Sequence, residues 1–302
     1  MRAVKPPAPS PAPHVDATAP AFPLAPPVTH YENFPVASLL CPPRLRQPIA
    51  AIYAFARAAD DLADEGDATA DERLADLSAY RAELHAVTTQ GAAPSPRWAA
   101  IFGPLQAVVR SHTLPVPLLD DLIDAFLQDI AMTRDRDTYA TRAELLDYCR
   151  RSANPVGRLL LHLYGVQGDT ALAESDAICS ALQLINFWQD LSVDLPRGRH
   201  YLTDADCAAH GVSRTQLIAG QRSPASDALV MDCAAWARST MLAGAPLVHR
   251  LPGRIGWELR LVVQGGLRIL DKVQALHGAS LVTRPVLRAA DGPRMLWRAV
   301  RM

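Results

Sequence analysis

The sequence predicts an all-α protein, with a single helical domain around a central apolar cavity. One observation is that apolar residues recur at helical spacing almost everywhere after Tyr31, with no convincing alternating strand between them. Another is that two of the predicted helices carry an apolar row that ends in a pair of carboxylates. The third is that short clusters of Pro and Gly separate the helical stretches.

The helices follow one another with short connections. The first begins at Pro42 and Pro43, tolerates Pro48 in its early turns and ends before Gly66. The others are predicted at residues 71–89, 97–112, 117–133, 141–163, 171–195, 213–219, 225–248, 254–277 and 284–300. Residues 1–28 are rich in Pro and Ala and have no periodicity, so we expect a disordered tail before a helical domain at 29–302.

Composition narrows the class of protein. The chain is 49% hydrophobic and 20% charged, with a net charge of −1, which argues against a nucleic-acid partner held by a basic field. Its 5 cysteines are scattered, without a C-x-x-C pair, as expected for reduced thiols in a cytoplasmic protein. No apolar run is long enough to span a bilayer, and peripheral contact with the inner membrane is left open.

The stretch from Ile49 to Asp64 forms the first acidic motif. One stripe of this helix, which we expect to be buried, is apolar for three turns and then acidic. Its members are Ile49, Ile52, Tyr53, Ala56, Asp60 and Asp64. Asp61 points to the side, where it is either a hydrogen-bond acceptor behind the site or merely exposed.

The second motif runs from Ile178 to Asp194 and repeats the pattern. An i, i+4 row is apolar first and acidic last; its members are Ile178, Leu182, Asn186, Asp190 and Asp194. Four carboxylates facing each other across a cavity repel unless divalent cations lie between them, and oxygen ligands without nitrogen or sulfur suit Mg²⁺. Mg²⁺ keeps positions for phosphate oxygens, so a diphosphate is the natural ligand. The alternative is that the aspartates are solvated helix ends.

These residues resemble the squalene/phytoene synthase family. The similar segments are HYENFPVASLL from His30, AIYAFARAADDLAD from Ala51, YCRRSANPVGRLL from Tyr148 and QLINFWQDLSVDLPRGRHYL from Gln183. The resemblance implies the trans-isoprenyl synthase helical bundle. It also implies a prenyl diphosphate substrate and a Mg²⁺ site formed by Asp60, Asp64, Asn186, Asp190 and Asp194.

Further site residues come from the matching positions and from the expected cavity. The resemblance places His30, Arg57, Arg197, Arg199 and Tyr201 near the diphosphate or along the site. A surface charge is the alternative for any single Arg. The cavity wall is expected to include Phe34, Tyr53, Gly157, Leu160, Leu182 and Gln183, with ordinary core packing as the alternative.

Two amides depart from the family pattern. Asn154 stands where Gly is usual and Gln189 where Arg is common. An amide both donates and accepts, so Asn154, with Tyr148, is a candidate for placing a water molecule. The alternatives are that Asn154 caps a helix break before Pro155 and that Gln189 faces solvent.

Within the family, the chain is most similar to the hydroxysqualene synthases of bacterial hopanoid pathways. This finer similarity is carried by NFPVAS from Asn33, the Trp188-Gln189 pair before Asp190, the segment Ala153-Asn154-Pro155 and GGLRILDKV from Gly265. That branch implies Mg²⁺-dependent ionisation of presqualene diphosphate and capture by water, without a nicotinamide, and hand-over with other squalene-pathway enzymes. Head-to-head condensation of two farnesyl diphosphates to presqualene diphosphate, squalene, dehydrosqualene or phytoene is the alternative reaction. A third hypothesis is that the protein is a non-catalytic helical assembly factor. This hypothesis predicts that motif aspartates have been lost, whereas all four are present.

Overall fold

The computed structural model describes residues 41–302, and this part of the chain contains twelve α-helices and no β-strand. The helices are α1 Pro43–Asp64, α2 Ala70–Thr88, α3 Ala99–His112, α4 Val116–Asp135, α5 Arg142–Ser152, α6 Asn154–Tyr164, α7 Asp169–Asp194, α8 Asp204–Ala209, α9 Arg214–Ile218, α10 Pro224–Gly244, α11 Gly253–Ala275 and α12 Gly292–Val300. None of these helices is both long and apolar enough to cross a membrane. The predicted tail at 1–28, and also His30 and Phe34, lie outside the described residues.

Two apolar cores hold the helices together. The first joins α1 to α4 around a group of aromatic rings, in which the fully buried Phe55 and Tyr80 stack with their centroids 5.3 Å apart. The Tyr80 hydroxyl donates to the Phe55 carbonyl at 3.1 Å, so its polar end is satisfied inside this core. The second core surrounds α7, which is buried on nearly all sides between α5, α6, α10 and α11.

The buried face of α1 differs from the predicted stripe by one residue. The residues in the core are Ile52, Phe55, Ala59 and Ala63, whereas Ile49, Tyr53, Ala56 and Asp60 are only half-buried. The prediction that the whole motif stripe is buried was therefore wrong, because only Ile52 among the stripe residues is buried. Small Ala residues at 59 and 63 let α1 pack closely against its neighbours, and the motif stripe lies at the edge of that contact.

Two predicted helices had wrong boundaries, and one helix was not predicted. The stretch at 141–163 is two helices, because the chain leaves helical geometry at Ala153 (φ −123°, ψ −46°). Pro155, the second residue of α6, has no N–H to donate, and in a continuous helix its ring would clash with the Arg151 carbonyl. The last helix starts at Gly292 rather than at 284, since Arg288 is extended (φ −126°, ψ 160°). The short helix α8 was not predicted; Thr203 caps it by accepting from the Asp206 N–H at 3.1 Å.

Gly157 brings α6 into close contact with α7. A Cβ atom at this position would lie 2.5 Å from the Ser175 Oγ and 2.6 Å from the Cys179 Sγ. The glycine is therefore needed for helix packing, and this contact fixes α6 beside the helix that carries the second acidic motif.

Candidate active site

The acidic ends of α1 and α7 are linked by one arginine. After α7, a short 3₁₀ turn at Leu195–Arg197 leads to Gly198, whose φ of 80° turns the chain back. The Arg199 N–H then donates to the Asp194 carbonyl at 3.0 Å, and the Arg199 guanidinium donates to the Asp64 carboxylate on α1. The left-handed residue thus positions an arginine between the two motifs.

Two further arginines pair with Asp60 and Asp190, one from each motif. Arg57 bonds Asp60 at 2.9 Å and contacts Asp61 at 2.6 Å, both on its own helix. Arg284 bonds both oxygens of Asp190, with its Nε at 2.6 Å and a terminal nitrogen at 3.0 Å. The side chain of Asp61 is 46% exposed and Asp61 shares Arg57 with Asp60, so the structure places it at the rim of the site.

The carboxylates influence each other's protonation. Burial, followed by the charge of Asp64, raises the pKa of Asp60 to about 6. Burial also raises the pKa of Asp194 to about 6, and Arg199 opposes this shift while Asp190 and Asp64 add to it. Negative charge is therefore concentrated at one end of the bundle beyond what the arginines neutralise.

This donor set fits a divalent cation. Four carboxylates and the Asn186 amide oxygen are ligands of the kind that Mg²⁺ prefers. A dication would relieve the mutual repulsion that adds to burial in raising the pKa values of Asp60 and Asp194. In residues 41–302, no three His, Cys, Asp or Glu side chains stand together as a ready-made metal site. Ligation by both pairs would therefore require the ion pairs with Arg57, Arg199 and Arg284 to open.

Asp129 on α4 is a fifth carboxylate at this site, which the sequence reasoning missed. It accepts a hydrogen bond from the Tyr148 hydroxyl at 2.5 Å. Burial raises its pKa to about 7, against the opposing effects of Tyr148 and Arg199. Although many protein atoms surround Asp129, the residue keeps some accessible surface, which indicates that it lines an internal recess. Asp129 lies one helical turn after Ala125, which is 1% exposed. This is the same pattern, an acid after an apolar row, that led to the prediction of Asp60, so the sequence could also have indicated Asp129.

Aromatic rings form the wall beside Asp129. Tyr201 stacks on Phe187 with a centroid distance of 3.7 Å, and Tyr148 lies 6.2 Å from Phe187 and 6.3 Å from Tyr201. Tyr139 joins the group at 5.7 Å from Tyr148. The structure therefore brings the predicted residues Tyr148 and Tyr201 together, and adds Phe187 and Tyr139, which the sequence reasoning did not single out.

The remaining predicted residues have varied positions. Tyr53, Leu160, Leu182, Gln183 and Asn186 are half-buried. Arg197 is exposed and acts on the site through its charge, which lowers the pKa of Asp194.

The two unusual amides are both buried. Asn154 accepts from the Ser180 hydroxyl at 2.9 Å and so joins α6 to α7. It is the first residue of α6, directly after the predicted helix break, and its side chain does not cap that helix. Gln189 is 2% exposed and donates to the Pro285 carbonyl at 2.7 Å, so the interpretation that it faces solvent was wrong. This bond holds the segment that carries Arg284 against α7.

Two helices of the bundle end in paired aspartates beside arginines and aromatic rings, an arrangement suited to an enzyme that binds a diphosphate. The chain belongs to the squalene/phytoene synthase family, whose model matches residues 28–291. Enzymes of this family act on prenyl diphosphates and perform head-to-head prenyl condensation chemistry.

Three comparisons show how this chain is placed in the family. It is 34% identical over 246 residues to the hydroxysqualene synthase of Sinorhizobium fredii, covering 81% of this chain and 79% of that one. It is 31% identical over 276 residues to the phytoene synthase of Thermus thermophilus, covering 89% and 88%. Among solved structures, the squalene synthase HpnC from Alicyclobacillus acidocaldarius is similar, with a TM-score of 0.73 and 34% identity, covering 82% and 90%.

Proposed function

We propose that this enzyme ionises presqualene diphosphate and directs one water molecule to the rearranged cation, giving hydroxysqualene and diphosphate. The similarity to relatives named hydroxysqualene synthase, over about four fifths of each chain, is the observation that carries this proposal. The arrangement of the site supports it, because a charged end that receives diphosphate adjoins an aromatic wall that tolerates a carbocation.

The leaving diphosphate is received by the arginines. Three arginines already form ion pairs with carboxylates at the acidic end of the bundle, so their guanidinium groups are oriented to bind oxyanions; they are Arg57, Arg199 and Arg284. A planar guanidinium donates two parallel hydrogen bonds to phosphate as readily as to carboxylate. Substrate binding therefore transfers these cations from the aspartates to the diphosphate oxygens.

Asp60, Asp64, Asp190 and Asp194, with Asn186, would hold Mg²⁺ once the arginines have moved. When bound, Mg²⁺ supplies charge neutralisation of the departing diphosphate. Asp129 stays behind this set and, through its bond to the Tyr148 hydroxyl, fixes that ring against the recess. No nicotinamide is needed, because water rather than hydride ends the reaction.

The carbocation passes along the aromatic wall. Tyr148, Phe187 and Tyr201 line this path, and aromatic rings stabilise a nearby cation through the negative charge on their faces. The apolar helices around these rings exclude bulk water. The outcome then depends on which nucleophile is held closest to the cation. A single ordered water gives the alcohol, with its second proton passing to diphosphate or to a site base.

The alternative reaction is condensation of two farnesyl diphosphates, and the similarity to a phytoene synthase over 89% of the chain favours it as the second candidate. Purified enzyme with Mg²⁺ should be incubated with presqualene diphosphate and with farnesyl diphosphate in parallel, each with and without NADPH. We expect hydroxysqualene from presqualene diphosphate without NADPH. Presqualene diphosphate formed from farnesyl diphosphate would favour condensation, and a folded protein inert toward both would favour an assembly role.

The water-placing role of Asn154 is tested against its hydrogen-bond partner. Asn154→Leu removes both the amide and the bond to Ser180, whereas Ser180→Ala removes only the bond. If the amide places water, Asn154→Leu lowers the alcohol fraction while diphosphate release continues, and Ser180→Ala keeps the alcohol. An unchanged alcohol fraction in Asn154→Leu would remove Asn154 from the mechanism.

A further inference from the structure

The C-terminal helix α12 exposes an unusual set of large apolar side chains. Leu296, Trp297 and Val300 are 54%, 55% and 60% exposed, and Trp257 at the start of α11 is 41% exposed. We name these four residues the C-terminal apolar patch. Scattered apolar residues on a surface are ordinary, but two tryptophans and two aliphatic residues on adjoining helices form a group that calls for a partner.

The patch is not the poorly packed side of a loose helix, because α12 is well anchored on its other side. Ala299 is fully buried, Met302 packs on the core around α7, and the Met295 methyl lies 3.5 Å from where a Cβ would stand at Gly265. At 100° per residue, Leu296, Val300 and Trp297 lie within an arc of about 100°, and Met295 and Ala299 lie on the neighbouring arc that faces the protein. The helix therefore has one apolar face for the protein and another directed outward.

Arg260 connects α12 to Trp257. Its guanidinium donates to the Ala299 carbonyl at 3.1 Å and lies over the Trp257 ring at 5.2 Å from the centroid. Arg260 thereby links Trp257 to the last turn of α12, the helix that carries the other three residues of the patch.

Positive charge surrounds this surface. Residues 271–302 contain six Lys and Arg but only two acids, in a chain whose net charge is −1. Both acids are already paired inward: Asp291 bonds Arg268 and Lys272 at 2.7 Å each, and Asp271 bonds Arg298 at 2.8 Å. Arg294 and Arg301 are both exposed; Arg294 lies 3.6 Å from Asp271, an acid that it shares with Arg298, so the cations of this region outnumber its acids.

Arg301 lies over the Trp297 ring at 3.9 Å from its centroid. An aromatic ring next to a guanidinium suits the boundary between lipid headgroups and acyl chains, where one end of the pair is wet and the other apolar. A short amphipathic helix with Trp and Leu outward and Arg at its edges is typical of segments that lie in a bilayer surface.

We propose that the C-terminal apolar patch, with Arg294 and Arg301, docks on an anionic lipid bilayer. Charge complementarity selects this occupant. A second copy of the same face would bring arginines against arginines, and residues 1–28 carry only one acid, Asp16, against Arg2 and Lys5. The proposal depends only on this surface and not on which product the enzyme forms.

Docking here also has a functional consequence. The segment that leads into α12 carries Arg284, which bonds Asp190 at the active site. A bilayer on α12 would therefore lie close in sequence to a residue of the acidic site, and an apolar product such as hydroxysqualene would have lipid to enter when it leaves the enzyme.

Vesicle sedimentation tests the proposal with the full-length protein. Vesicles of phosphatidylcholine alone are compared with vesicles that contain phosphatidylglycerol, at low and high salt. We expect preferential binding to the anionic vesicles, weakened by salt, with a blue shift in tryptophan emission. The doubly substituted protein Leu296→Glu/Val300→Glu should lose about tenfold or more of its partitioning, and Arg294→Gln/Arg301→Gln should lose its preference for anionic lipid.

Ile218→Glu is the matched control, because Ile218 is 52% exposed on α9 and lies outside the patch. It should bind vesicles like the wild type, and circular dichroism should show that all variants are folded. The proposal is overturned if the wild type does not prefer anionic vesicles or if the patch variants bind like Ile218→Glu. It is also overturned if light scattering shows a dimer that the patch variants dissolve, or if binding appears only after residues 1–28 are deleted.

Discussion

Replacing Asp129 by Asn tests the electrostatics of the recess most directly. In the folded protein this carboxyl group is surrounded by protein atoms, accepts from Tyr148 at 2.5 Å and has a pKa raised from 3.8 to about 7. Because the folded pKa lies above the unfolded one, the native state binds more protons than the unfolded state between these values. Ionised Asp129 therefore costs stability, and the cost grows as the pH rises from about 4 to about 7.

The size of the effect follows from the pKa difference. A difference of this magnitude corresponds to roughly 4 kcal/mol at about 1.4 kcal/mol per pH unit. Since Asp129 keeps some contact with solvent, we expect about 2–4 kcal/mol. Asp129→Asn removes the charge. Its effect on the free energy of unfolding should therefore be more favourable at pH 8 than at pH 4.5 by about this amount, which corresponds to several degrees in Tm.

Urea unfolding at pH 4.5 and pH 8 measures the difference, and comparison of variant with wild type cancels the shared contributions of Asp60 and Asp194. Tyr148→Phe is the matched control, because the Tyr148 hydrogen bond lowers the pKa of Asp129. Loss of this hydrogen bond should raise the pKa of Asp129 further, so that the free energy of unfolding falls more steeply as the pH rises. Equal effects of Asp129→Asn at both pH values would refute the argument that a desolvated charge is held here.

The other predictions concern the metal clamp, the tail and helix packing. Asp60→Asn should lower turnover at least about 100-fold while the protein stays folded, and Asp61→Asn should lower it less; the reverse order in steady-state assays would show that Asp61 faces the substrate. Deleting residues 1–28 should leave turnover and Tm nearly unchanged, and a large drop in Tm would show that they pack on the domain. Gly157→Ala should destabilise the protein by about 1–3 kcal/mol, because the new Cβ would meet Ser175 at 2.5 Å; an unchanged Tm would mean that α6 and α7 separate without cost.

The sequence was sufficient to predict the fold class and the two acidic motifs. Helical spacing is a local property, so residues four apart share a face wherever the helix lies in the molecule. The prediction that α7 carries an acidic end was possible for this reason, and the structure places Asp190 and Asp194 in its last two turns. The one-residue error on α1 arose because spacing alone does not show which of two adjoining rows is buried. The neighbouring helices cover the row of Ile52 rather than that of Tyr53.

The ion pairs of the site depended on tertiary structure. Arg284 follows α11 and meets Asp190 across 94 positions of sequence, in a segment without regular secondary structure where the sequence predicted a helix. Gln189 reads as a solvent-facing amide until the fold brings the Pro285 carbonyl to it.

What the sequence by itself determined was the all-α class, the acidic ends of two helices and the family to which the chain belongs. The tertiary structure decided which arginines neutralise those ends and that Asp129 joins them from a third helix. It also decided that α12 exposes a second apolar face. The physical reason is that local spacing depends on one helix alone, whereas burial, pKa shifts and ion pairing arise only when separate helices approach within a few ångströms.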